Sequence, residues 1–461
     1  MQESMQQPIQ ESKQVWDVIV VGAGFSGLKA AHELIHAGKS VLILEARDRV
    51  GGRSMTGQIN GHTIDHGGQW VGPQQKLLLQ QAIALGIETY PQYIQGKSIL
   101  SLDQNLSTYT GDIPQLSWLA LIEMYFIERR FNKDIKVLHK NTQNALAKRK
   151  SWDNLTVADW INRNVRRREA NLFIQTAISA VLCCKASEVS YLFFLDCLSK
   201  NHGLSTLLGV KGGAQQDKFR GGAWQIAKKL ADQISENIQL NSPVTRIEYD
   251  QQQVNVHTDN QIYIAKHVVI TVPPPVISKI EFSPELPSAR MELIQQMKMG
   301  AVIKIHVAYT TPFWRKKGLS GAVASADRAL SVVFDQSPED ESCGILVGLI
   351  EADHAKALSK MDETARRELL IADLVYYFGD DALQPIEYVE QDWIKEPWSQ
   401  GGYLAYMPPQ LLSSFGEDIR QPVGRIHWAG TETATEWMGY LDGALQSGIR
   451  VAEEIISAQR Q

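Results

Sequence analysis

Gly22, Gly24 and Gly27, spaced G-x-G-x-x-G between two apolar runs, constrain the fold of this chain more than any other feature. Before them stand Val18, Ile19, Val20 and Val21, a β-branched run suited to a strand buried on both faces. After them Leu28, Ala31, Leu34 and Ile35 recur on one face of a helix, and Gly38 suits its C-terminal cap. A second strand follows at Val41, Leu42, Ile43 and Leu44, closed by Glu45. In such a unit the first glycine permits the tight turn, the second lets a pyrophosphate approach the backbone, and the third lets the helix pack against the strand. The start of the helix points unpaired N–H groups at the phosphates. Glu45 stands where an acid accepts hydrogen bonds from a ribose 2′-hydroxyl, and a carboxylate there would repel a 2′-phosphate. Strand, turn, helix, strand and acid in this order predict a Rossmann-like unit in an α/β fold, with NAD or FAD favoured over NADP.

Composition sets the outer bounds. A chain of 461 residues is too long for one ordinary core, so two closely built domains are expected. Hydrophobic content of 44% with 21% charged residues fits a soluble globular protein, and a net charge of −5 leaves no footprint for nucleic acid. The basic clusters Lys148-Arg149-Lys150 and Arg166-Arg167-Arg168 lie in polar, helix-like sequence and read as solvated faces. Cys183, Cys184, Cys197 and Cys343 form neither a disulfide framework nor a C-x-x-C metal site, which suits a reducing, cytoplasmic setting and predicts no metal. Residues 1–14, rich in Gln, Ser and Glu, read as a loose tail and not a signal peptide. Glu123 interrupts the longest apolar stretch, Trp118 to Ile127, so no run reaches the roughly 18 residues a membrane span needs.

Along the chain, residues from about Pro73 to Lys211 read as helical, with amphipathic stretches at Leu77–Leu85, Leu119–Phe131 and Leu172–Leu182. Tyr191, Phe193 and Phe194 read as core. Val244 to Ile247 reads as an edge strand, Val254, Val256, Ile262 and Ile264 as a half-solvated hairpin, and Val268 to Val272 as a further strand stopped by three prolines. Strand-like runs at Ala301–Ala308, Ser331–Phe334 and Ile345–Ile350, with a helix over Glu363–Phe378, suggest the floor and wall of a second domain.

Three further blocks carry chemistry. Directly after Glu45 comes Ala46-Arg47-Asp48-Arg49-Val50-Gly51-Gly52-Arg53, which joins close-approach glycines to arginines able to reach phosphate oxygens. Asp65-His66-Gly67-Gly68-Gln69-Trp70 is a second glycine turn, in which His66 is assigned a structural role. Near the end stand Trp398-Ser399-Gln400-Gly401-Gly402-Tyr403 and Trp428 to Ala444, with a closing helix from about Gly439. Taken together, from about Val15 to Ile456, these motifs resemble the FAD-dependent amine oxidase family, and within it the flavin monoamine oxidases.

The resemblance implies a GR2-type FAD-binding domain from 15–86, 212–290 and 396–461, interleaved with a substrate domain of mixed sheet and helices from 87–211 and 291–395. It implies FAD contacts from Gly22, Gly24, Phe25, Ser26 and Gly27, then Glu45, Ala46, Arg47, Gly52 and Arg53. Gly68, Gln69 and Trp70 match the family's flavin-side turn, and Val244 matches a backbone contact to the adenine end. Gly430, Thr431, Glu432, Gly439, Tyr440 and Leu441 complete the cofactor set, with helix N–H groups that suit the negative charge of a reduced flavin.

For catalysis, the resemblance makes Tyr403 and Tyr440 an aromatic cage that guides an amine nitrogen toward the flavin, in a pocket that disfavours the ammonium form. Lys304 matches a lysine that reaches the flavin through a water, although by itself it reads as an outward residue on an edge strand. Trp393 matches a tryptophan beside the flavin, where core packing is an equal explanation. Membrane-bound relatives carry a flavin-bonding cysteine where this chain has Gly402, and a C-terminal anchor helix, so the resemblance implies non-covalent FAD and no anchor. The expected reaction oxidises a small primary or secondary amine to an imine, which water converts to aldehyde or ketone, with dioxygen reduced to hydrogen peroxide. Polyamine oxidase, L-amino-acid oxidase, a dehydrogenase with another electron acceptor, and an inactive flavoprotein binding module remain alternatives. The resemblance also suggests a homodimer.

Overall fold

The computed structural model describes residues 10–111 and 114–458. The chain forms two main sheets. At the centre of the first lies the strand Gln10–Val21, hydrogen-bonded in parallel to Val41–Leu44 on one side and to Gln261–Ile270 on the other. Val18, Ile19, Val20 and Ile43 are wholly buried, as strands covered on both faces require. The helix Phe25–His36 covers one face, and Gly38 follows its cap with φ of 76°, in the left-handed region the sequence reserved for it. Ile238–Gln239 extends the sheet beyond Val41–Leu44, and Ile426–Trp428 runs parallel to the end of Gln261–Ile270.

Several expectations change here. Residues 1–9 of the expected tail lie outside the described residues, whereas 10–14 belong to the first strand, where Gln10 pairs with Gln261. Val244–Tyr249 is an interior strand, paired with both Val254–Thr258 and Glu281–Ser283. The hairpin's second strand continues without a break from Gln261 to Ile270, and its buried face is carried by Tyr263 and Ala265 instead of Ile262 and Ile264. Register explains this: Tyr263 pairs with Val256 and Ala265 with Val254, and cross-strand partners share a face.

The second sheet has seven strands, in the order Glu387–Asp392, Val302–Tyr309, Gly344–Glu351, Val332–Asp335, Leu319–Ser325, Lys97–Leu102 and Asn105–Tyr109. The last two interrupt the expected helical region, which also holds the short strand Thr89–Pro91. Helix Glu363–Phe378 buries Leu370, Leu374 and Phe378 in the same core as Ile303, Ile305 and Val307. A third core of helices gathers Phe131, Trp160, Tyr191, Phe193 and Phe194, which confirms the core reading of those aromatics. All four cysteines are free and buried. Lys148, Lys150 and Arg166 to Arg168 are exposed. Among the described residues no helix is long and apolar enough to cross a membrane.

Candidate active site

One cavity of about 830 Å³ runs from the glycine turn to the second sheet. At its first end the turn is as tight as the motif demands. A Cβ on Gly27 would lie 2.0 Å from the Gly22 carbonyl oxygen, and Gly22 itself has φ of 105°, with room for no side chain against Thr271. Gly24 precedes the helix without any side-chain cap, leaving the first N–H groups facing the cavity. Glu45 is 4% exposed; it accepts hydrogen bonds from the Ala23 N–H at 2.7 Å and the Arg47 N–H at 2.9 Å. Each oxygen keeps a lone pair for a hydroxyl group in the cavity. Val244, Ala46 and Gly52 complete this end.

The arginines are committed to protein partners. Arg47 donates to Glu396 at 2.9 Å and to Ser399 at 2.8 Å. Arg53 forms a paired contact with Glu432 and also donates to the Tyr403 carbonyl at 2.7 Å. Glu432 in turn accepts from the Ala405 N–H, so this ion pair fixes the loop bearing Tyr403. Both arginines line the cavity, whereas Gly27 and Glu432 stand behind its wall. Ser26 is a cross-link as well as a lining residue: its hydroxyl meets Ser447 at 2.8 Å and accepts from the Gly430 N–H at 2.9 Å. Thr431 accepts from the Gly439 N–H and donates to the Tyr440 carbonyl, which closes the turn before the helix Leu441–Ala458.

At the other end Lys304 corrects the outward reading of its strand. Val302–Tyr309 lies between two neighbours, and Lys304 is 3% exposed. Its Nζ donates to the Gly67 carbonyl at 3.0 Å and to Gln69 Oε1 at 2.7 Å, and lies 5.2 Å from the Trp70 ring centre. Burial lowers the lysine and raises Asp65, and each partly restores the other's charge. Trp393 donates to the His66 carbonyl at 2.9 Å, so the ring is anchored and not merely packed. His66 is pushed down to about 4 by burial, with Lys304 adding to the effect, and is neutral near pH 7.

Tyr403 and Tyr440 both line the cavity, and burial raises both hydroxyls, so neither ionises under ordinary conditions. Trp437 supports Tyr440 edge-on at 5.2 Å. Around the tyrosines the wall is apolar: Phe173, Ala177 and Leu208 on the helical side, Val332, Phe334 and Leu349 on the sheet side. Sequence reasoning missed this wall, because an apolar residue facing a cavity has the same pattern as one facing a core. It also missed a buried relay in which Gln69 donates to Gln336 at 2.6 Å and Lys218 donates to the same oxygen at 3.3 Å. A lysine in the strand Asp217–Phe219 was the available signal, since a buried cation demands partners.

An α/β nucleotide cradle opening into an apolar chamber with two tyrosines and a buried lysine defines a flavoprotein oxidoreductase. The chain belongs to the flavin containing amine oxidoreductase family, which it matches over residues 25–456. It is 37% identical to the probable flavin-containing monoamine oxidase A of Dictyostelium discoideum, over 96% of this chain and 97% of that one. It is 34% identical to amine oxidase [flavin-containing] A of Bos taurus, over 98% of this chain and 87% of that one. Among solved structures, putrescine oxidase bound to putrescine superposes with a TM-score of 0.90 at 30% identity, covering 96% of this chain and 99% of that one. Cyclohexylamine oxidase from Brevibacterium oxydans IH-35A gives 0.91 at 30%, covering 97% and 100%. The protein is therefore an FAD-dependent amine oxidase, and the cradle fits the cofactor, since the tight turn at Gly22, the open approach at Gly24 and the open lone pairs of Glu45 match a dinucleotide.

Proposed function

We propose that the enzyme oxidises a small apolar monoamine to an imine that water hydrolyses, with dioxygen as acceptor and hydrogen peroxide as product. The observation that carries the substrate class is the charge census of the cavity. Among the described lining residues the acids are Glu45, at the nucleotide end, and Glu128, already holding Ser205 at 2.8 Å. A diamine would find no carboxylate on the cavity wall beside the tyrosines to meet its second ammonium directly. The lining arginines are Arg47 and Arg53, both bound to glutamates, so an amino-acid carboxylate would lack a free guanidinium.

On this reading Tyr403 and Tyr440 present two ring faces to the amine nitrogen, and the apolar wall excludes water and favours the neutral amine. Bound FAD supplies the two-electron redox step. Lys304, held by Gly67 and Gln69, positions a water on the flavin side, and Trp393 keeps the neighbouring turn in place. Gly402 offers no sulfur, which supports a non-covalent cofactor. The same reading assigns residues 15–86, 212–290 and 396–461 to the FAD-binding domain and 87–211 and 291–395 to the substrate domain, in a cytoplasmic homodimer.

The test is an anaerobic panel of monoamines, diamines and α-amino acids mixed with the yellow protein, following the loss of flavin absorbance. Apolar monoamines should bleach it fastest; bleaching only by diamines or amino acids would refute the substrate class. Admitting oxygen should then yield one peroxide per amine, and reduced flavin that persists in air would point to another acceptor.

A further inference from the structure

Glu351 ends the strand Gly344–Glu351 as a buried acid that forms no ion pair among the described residues. It is 3% exposed; the Ser331 hydroxyl donates to Oε2, and among the described residues Oε1 has no hydrogen-bond partner. An aliphatic side chain would fill the place without the cost of an unsatisfied buried oxygen. Strand pairing shows where the acid points. Glu351 pairs with Val302, and Leu349 with Lys304. Side chains two residues apart share a face, so Glu351 stands on the face that carries Leu349 and Lys304 into the cavity. Cys183, Val302, Leu349 and Trp393 pack in one cluster against Tyr403. Burial raises both the Cys183 thiol and the Tyr403 hydroxyl, and the charge of the nearby Glu351 carboxylate adds to each.

We propose that Glu351 is a positioning residue for the amine: its carboxylate, set behind Tyr403, draws a protonated amine into the apolar cage and sets the pH at which that amine loses its proton. The inference rests on the amine-oxidase reading of the site. An ammonium entering an apolar chamber loses hydration, and a negative charge one side chain away offsets part of that loss. The same charge makes the ammonium harder to deprotonate, so affinity and reactivity are set against each other; the released proton passes to solvent. The groups set against Glu351 are Ser331, ahead of Val332–Asp335, which donates to it, and Cys183 and Tyr403, which its charge acts on; Lys304 stands on the same face of the sheet, paired with Leu349 two residues before it. The Lys185–Asp353 and Lys356–Glu188 pairs lie outside, at the surface. Burial raises Glu351 to about 7, with Ser331 pulling it down, so the carboxyl changes charge near neutrality.

The experiment compares FAD-loaded wild type with Glu351→Gln, following anaerobic flavin reduction by benzylamine and cyclohexylamine from acid to alkaline pH. The acid limb of the reduction rate should move to lower pH by about one unit in Glu351→Gln, and Glu351→Asp should restore it. Calorimetry with tert-butylamine, which has no α-hydrogen to lose, should show affinity weakened about tenfold in Glu351→Gln at neutral pH. Ser331→Ala supplies an independent variant: with its donor gone the carboxyl holds its proton longer, so the limb should move the same way by less. If amines bleach the wild type but Glu351→Gln and Ser331→Ala leave the limb and tert-butylamine affinity unchanged, this inference alone is overturned. A wild type that no amine reduces overturns the amine-oxidase reading and the inference together.

Discussion

Single residues carry the sharpest consequences. Lys304 is buried with two acceptors fixed on its head group, so Lys304→Met leaves both unpaired and should cost about 1–3 kcal/mol in urea unfolding, while FAD content, held from the glycine turn, stays intact. It should slow flavin reduction or reoxidation on the order of tenfold or more, and stopped-flow traces unchanged in both half-reactions would remove the lysine from the mechanism. Glu351 makes a prediction about stability as well. Its ordinary value of 4.5 rises to about 7 in the folded protein, so between these values the folded chain keeps a proton that the unfolded chain has shed. Its contribution is therefore lost as pH rises through that window, on the order of 3 kcal/mol in all. Urea unfolding of Glu351→Gln should show a flatter decline over that window than wild type. Much of the site was legible at this scale because glycines and paired tyrosines sit in dense motifs. Lys304 was not: its sequence neighbours are apolar, and only the strand beyond it, Glu387–Asp392, turns an apparent edge into an interior. Glu351 was illegible for a related reason, since a glutamate ending an apolar strand looks like the start of a solvent-facing turn.

At the level of elements, the first strand, helix and second strand could be read almost residue by residue, since the glycine turn, alternation and caps all agree. Strands of the second sheet were harder. Lys97–Leu102 and Asn105–Tyr109 are short, joined by Asp103 and Gln104 with positive φ, and embedded between helices. Val244–Tyr249 has the alternation of an edge strand, and only the pairing of Arg246 with Glu281 makes it interior. The first helix offers the element-scale prediction. In Gly27→Ala the new Cβ would lie 2.0 Å from the Gly22 carbonyl, so the helix must move away from the strand. The variant should lose about 1–3 kcal/mol in urea unfolding and purify largely colourless, because the moved helix start is also the phosphate end of the cradle. Full yellow colour at unchanged stability would mean that the turn tolerates a side chain.

For the whole molecule, cofactor and substrate ends were legible as separate motifs, whereas their meeting was not, because distance in sequence carries no information about the cavity that joins them. Non-covalent attachment is tested at this scale: acid precipitation should leave the flavin in the supernatant, and flavin pelleting with protein would contradict the reading of Gly402. The knot at Ser26 has a consequence of its own. That hydroxyl binds the Gly430 N–H and Ser447, and a Cβ on Gly448 would come within 2.5 Å of the Ser26 carbonyl, so the first helix and the closing helix are built into each other. During synthesis the glycine turn leaves the ribosome early, yet it waits for the last helix before its cradle is whole. A chain cut before Leu441–Ala458 should therefore purify without yellow colour, because its glycine turn lacks the helix it is built into.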